Sequence, residues 1–108
     1  MGYWEGRVNE LIAWLKEQNE GVSTYIGLQQ RAHGLASSDP DQAALFRLLG
    51  SLAARFASSY DDMPLPANIA RSTFERMITL VEEALRAMDG TAQEKLAVLN
   101  EIARAELD

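Results

Sequence analysis

Asp39-Pro40-Asp41-Gln42-Ala43-Ala44-Leu45-Phe46-Arg47-Leu48-Leu49-Gly50-Ser51-Leu52-Ala53-Ala54-Arg55-Phe56 is the most regular stretch of the chain. Leu45, Leu49, Leu52 and Phe56 recur at helical spacing, with Phe46 and Ala53 alongside. Arg47, Ser51, Ala54, Arg55 and Ser58 fall on the opposite side, as in an amphipathic surface helix. The start reads as a helix N-terminus: Asp39 offers a capping carboxylate, Pro40 suits the first helical position, and Gln42 completes a capping box. The spacing predicts a helix over about 40–59. It ends at Tyr60-Asp61-Asp62-Met63-Pro64-Leu65-Pro66, where the prolines remove donors and restrict the residues before them. Met63 and Leu65 are expected to tuck under the neighbouring helices as a lid, the other reading being a docking segment.

The same period extends outward in both directions. A first helix is predicted over about 3–19, with Trp4, Val8, Leu11, Ile12 and Leu15 on one stripe and Gly21 as its stop. A second, over about 22–37, places Val22, Tyr25, Ile26, Gln29, Ala32, His33 and Ala36 on one side. A fourth, over about 67–88, turns Ala70, Phe74, Met77, Ile78, Val81, Ala84, Leu85 and Met88 inward, with Glu82 and Arg86 paired outside. Asp89-Gly90-Thr91 with Glu94 stops that helix on a glycine and caps the next, over about 92–107, which is expected to bury Leu96, Leu99, Ile102 and Ala103. No segment has the period of a strand. The fold expected is all-α, a compact bundle of four to five helices leaning antiparallel, in a single domain spanning residues 1–108.

Composition narrows the function. The chain has no cysteine, so disulfides, thiolate metal sites and a cysteine nucleophile are excluded. Ten basic residues stand against sixteen acidic ones, a net charge of −6. That balance works against phosphate-backbone binding and favours basic protein partners. No apolar run is long enough to span a bilayer, and the opening residues, with Glu5 and Glu10 among them, do not read as a secretory signal. A cytoplasmic protein with neither membrane nor nucleic-acid partner is expected. Eight of the ten cations are arginine and alanine is abundant, which suggests a GC-rich bacterial genome.

The predicted second helix departs from local rules. Gly27 and Gly34 lie within it, each costing about 1 kcal/mol relative to alanine. Gln29 and His33 stand where aliphatic residues are expected. His33 is the single histidine and has the one side-chain type that ordinarily titrates near neutrality. One reading makes His33 a proton donor or acceptor in a polar pocket, with Tyr25 and Gln29 orienting a small ligand. The other makes it a boundary histidine bonded to a carbonyl or carboxylate. No partner residues at metal-ligand spacing accompany it, so no metal or other cofactor is expected. Ala32-His33-Gly34-Leu35 resembles the phosphoacceptor segment of histidine phosphotransfer domains in those four positions. Ala36 and Ser37, however, stand where that family has lysine and glycine, and Asp39-Pro40 breaks the helix early, so membership does not follow. The glycines also read as a small-residue strip for close helix packing, as do Gly50, Ala54 and Ala57.

On the first predicted helix, Tyr3, Arg7 and Trp14 share a flank beside the main stripe, which reads either as an interface grip, since these residue types are enriched in hot spots, or as a wide apolar stripe covered by the second or fifth helix. No phosphate loop, zinc-protease motif or nucleophile elbow occurs. The sequence therefore favours a small acidic interaction module without catalysis: an adaptor, a secretion chaperone or an immunity-type inhibitor. Its partner is expected to be a basic protein or a second copy of the chain. The alternative is a ligand-binding or enzymatic bundle using His33.

Overall fold

Punctuation in the sequence divides the described residues into five α-helices. The computed structural model describes residues 3–107, with side chains from Asn9 onward. The helices are α1 (Tyr3–Lys16), α2 (Val22–Ser38), α3 (Ala43–Ser59), α4 (Ala67–Ala87) and α5 (Ala92–Arg104). A 3₁₀ turn, Pro40–Gln42, leads into α3, and no strand occurs among the described residues. The all-α expectation holds.

Several boundaries have a different cause from the one expected. No glycine among the described residues has positive φ, so neither Gly21 nor Gly90 is a left-handed helix stop. The turn after α1 is organised by Asn19, whose Oδ1 accepts the Gly21 N–H at 2.8 Å. The carbonyl of Asn19 accepts the buried Thr24 hydroxyl at 2.8 Å. Helix α1 ends at Lys16, before the expected residue 19, and the Glu17 and Gln18 N–H groups bond the Trp14 and Leu15 carbonyls in a tightened last turn. Thr91 caps α5 as expected, its Oγ1 accepting the Glu94 N–H at 3.1 Å. Asp39 does not cap α3. Its carboxylate turns inward, the residue is only 9% exposed, and Oδ2 has no hydrogen-bond partner. The Gln42 N–H is met instead by the Asp39 carbonyl at 3.1 Å, the geometry of a 3₁₀ entry.

Helices α2 and α3 form the most intimate pair, running antiparallel, with Tyr25 against Phe56 near one end and Ala32 beside Gly50 about midway along. Helix α1 packs on α2 and α4, while α5 packs on α3 and α4. The five helices thus enclose one core, in the order α1, α2, α3, α5, α4 around it. Tyr25 joins three of them: its ring lies 4.5 Å from that of Phe56, centroid to centroid, and its hydroxyl donates to Thr73 Oγ1 on α4 at 3.3 Å. The Thr73 hydroxyl in turn donates to the Ile69 carbonyl at 2.7 Å.

The stripe of α3 is buried as predicted. The inner face of α4 adds Thr73 and Leu80 to the expected set and leaves Ile78 and Leu85 at the rim. On α2 the buried line is Tyr25, Leu28, Ala32 and Ala36, while Ile26 turns outward, 45% exposed. On α5 it is Val98 and Ile102, with Leu99 at the edge; Leu96 is 57% exposed and Ala103 also faces solvent. Leu96, Val98 and Leu99 support two helical registers equally well, and contact with α3 and α4 selects between them. Beyond Arg104 the chain is no longer helical, and Ala105 and Leu107 are buried with Glu106 outside. Arg55 fixes this tail by donating to the Ala105 carbonyl at 3.2 Å. In the loop between α3 and α4, Leu65 packs on the core but Met63 is exposed. Glu82 pairs with Lys16 across to α1 at 3.2 Å rather than with Arg86. Among the described residues, no helix is long and apolar enough to cross a membrane.

Candidate functional site

The glycines of α2 and α3 answer separate packing needs. Gly27 receives the Trp14 ring: an added methyl group would lie 3.2 Å from two of its carbons. Gly50 receives His33, whose Cδ2 would lie 2.9 Å from such a methyl group and Nε2 3.2 Å from it. Each glycine thus lets a bulky ring from a neighbouring helix lie close to the backbone. Gly34 differs. It is exposed near the C-terminal end of α2, and an added methyl group would meet no heavy atom within 4 Å beyond its own helix. The fold makes no demand for glycine there.

Gly34 instead lies in a depression between α1 and α2 of about 180 Å³, lined by Glu10, Leu11, Arg31, Gly34 and Leu35. For scale, a closed apolar cavity of about 150 Å³ accommodates benzene. Leu11 and Leu35 supply apolar wall, Gly34 exposes backbone, and Glu10 and Arg31 supply opposite charges. The Arg31 guanidinium is held over the Trp14 ring, 4.5 Å from its centroid. Glu10 is exposed and forms no ion pair among the described residues.

Trp14, on the α1 flank singled out in the sequence, is half-buried and adjoins this depression through Arg31. Tyr3 and Arg7 precede Glu10 on the same flank, but their side chains lie outside the described residues. Glu10, Arg31, Gly34 and Leu35 were not expected here. The sequence signal available was Gly34 as a glycine within a helix, but its spacing from Gly27 suggested a shared packing strip, and only the structure separates the two.

The residues expected around His33 do not line this depression. Along α2 they grade from core to rim: Tyr25 is fully buried, whereas Gln29 and His33 are half-buried. The Tyr25 phenol is directed to α4. Burial pushes its pKa above the usual value, with Glu20 adding to the rise and the Thr73 hydrogen bond opposing it. The His33 ring lies against α3 at Gly50. No group of three or more potential metal ligands occurs among the described residues. A second titratable feature joins α4 to α5. Partial burial of Glu83, together with the nearby Glu101 carboxylate, raises the Glu83 pKa, and Arg86 and Arg76 partly offset the rise.

No family model, curated protein or solved structure matches this chain.

Proposed function

We propose that this chain is a small acidic protein-interaction module, of the adaptor, secretion-chaperone or immunity-inhibitor kind, docking its partner on the α1–α2 face. The observation that carries this reading is Gly34. A glycine inside a helix costs about 1 kcal/mol relative to alanine, and here no packing contact offsets that cost. Its effect is to keep a side-chain-sized depression open beside Trp14 and Arg31, residue types that dominate interface hot spots. The net charge of −6 favours a basic partner and makes association sensitive to salt.

Gly34→Leu tests the reading, because it fills the depression without disturbing the core. Both this variant and Gly34→Ala should melt several degrees higher than the parent chain, in line with about 1 kcal/mol of helix propensity. Immobilised parent chain and Gly34→Leu are then compared as baits in native lysate, with quantitative mass spectrometry. Proteins retained by the parent and lost by the variant support docking on this face. Equal retention by both baits removes it. Sedimentation of the purified chain distinguishes a foreign partner from a second copy, the homodimer form of the same proposal. The ligand-site alternative at His33 rests on its half-buried imidazole and predicts an activity lost in His33→Ala with melting temperature unchanged.

A further inference from the structure

We infer that the α1–α2 depression receives a cationic side chain, an arginine or lysine presented by the partner. This rests on the docking reading above and adds the chemistry of the contact. The guest needs apolar surface along part of its length, because Leu35, the Gly34 backbone and the edge of the otherwise buried Leu11 line the depression. Arginine and lysine have this form, with a methylene stem that lies on apolar surface and a charged head that reaches the rim. At the rim the head meets Glu10, an exposed carboxylate without an ion pair among the described residues.

Arg31 is the one cation in the lining, and its guanidinium is already stacked on Trp14. Its charge opposes a second cation placed beside it, so the guest's head is held on the Glu10 side of the opening, where the carboxylate supplies the charge contact. An anionic guest would have the attraction of Arg31, but it would face Glu10 at the same opening and a chain carrying −6 overall. An aliphatic guest would leave the carboxylate unused. The balance lies with the cationic side chain, because Glu10 has no ion pair among the described residues and the chain as a whole carries −6.

Four blocked tripeptides separate these classes: acetyl-Gly-Arg-Gly-amide and its analogues with citrulline, norleucine or glutamate at the centre. Each is titrated into ¹⁵N-labelled chain while the Gly34 and Leu35 amides and the Trp14 indole are followed. The arginine peptide should give saturable shifts, with a dissociation constant on the order of millimolar for so small a contact. The other three should bind at least about fivefold more weakly. Glu10→Gln should bring the arginine peptide down to the citrulline level, whereas Glu106→Gln, on the C-terminal tail, should change nothing. Gly34→Leu should abolish the shifts in a chain whose spectrum remains folded.

Equal binding of arginine and citrulline peptides, or tighter binding of the glutamate peptide, overturns the cationic assignment. If Gly34→Leu still abolishes that binding, the face survives as a docking site. Shifts that persist in Gly34→Leu overturn the site itself. Absence of saturable binding by any peptide overturns the cationic pocket, and the bait comparison then decides separately whether the chain docks a partner on this face.

Discussion

Asp39 and Thr91 both have cap-forming side chains, yet they carry opposite energetic signs. Thr91 accepts the Glu94 N–H and satisfies one of the donors that a helix N-terminus leaves free. Thr91→Ala should destabilise the chain by about 1 kcal/mol. At Asp39 the carbonyl meets the first donor, and the carboxylate is buried with Oδ2 unpaired. Leaving such an atom without a partner costs about 1–3 kcal/mol, so Asp39→Ala should be neutral or stabilising. Urea melts of the two variants check the contrast, and equal losses at both sites would refute it. The reason lies in the local backbone: Pro40 disfavours the helical region for the residue before it, and Asp39 settles at φ −132°, ψ 82°. Composition marked both positions as caps. Backbone geometry retained only Thr91.

At the scale of elements, helix existence was legible and helix rotation was not. The α3 stripe, Leu45, Leu49, Leu52 and Phe56, has one good register and is buried as read. Helices α2 and α5 carry apolar residues on more than one side, so Leu28 and Val98 replace Ile26 and Leu96 in the core. The α4–α5 contact adds a charge effect that neither helix shows alone, because Glu83 and Glu101 approach only after packing. The folded-state pKa of Glu83 lies above 4.5, so the folded chain holds that proton to higher pH than the unfolded chain. The resulting penalty is absent below the unfolded value, grows as pH rises from 4.5 through the raised folded value, and is complete beyond it. Glu83→Gln should therefore stabilise the chain at neutral pH, by about 0.5 kcal/mol or less because the group is partly solvated. The gain should shrink as pH falls toward 4.5. Melting curves recorded from pH 4 to pH 8 test this, and a gain independent of pH would remove Glu101 as its cause.

For the whole molecule, the centre is the junction of Tyr25, Phe56 and Thr73, where α2, α3 and α4 meet. Phe56 also packs at a tilt against Tyr60, centroids 5.2 Å apart, so its ring contacts both the α2–α3 pair and the exit into the following loop. Phe56→Ala should cost about 3–5 kcal/mol, a large part of the stability of a domain this size. Tyr25→Phe should cost about 1 kcal/mol, since it keeps the ring and removes one buried hydrogen bond. Calorimetry distinguishes these outcomes, and a Phe56→Ala loss below that of Tyr25→Phe would displace this junction from the centre of the fold. The sequence alone determined the helical class, the existence of the five helices and the caution against membrane spans, because period and composition are local properties. Only the tertiary structure decided which way α2 and α5 face, where the Tyr25 hydroxyl goes, and that Gly34 opens a depression while Gly27 and Gly50 are filled. Those outcomes depend on atoms brought together from distant parts of the chain, and helical spacing specifies a face without specifying its neighbour.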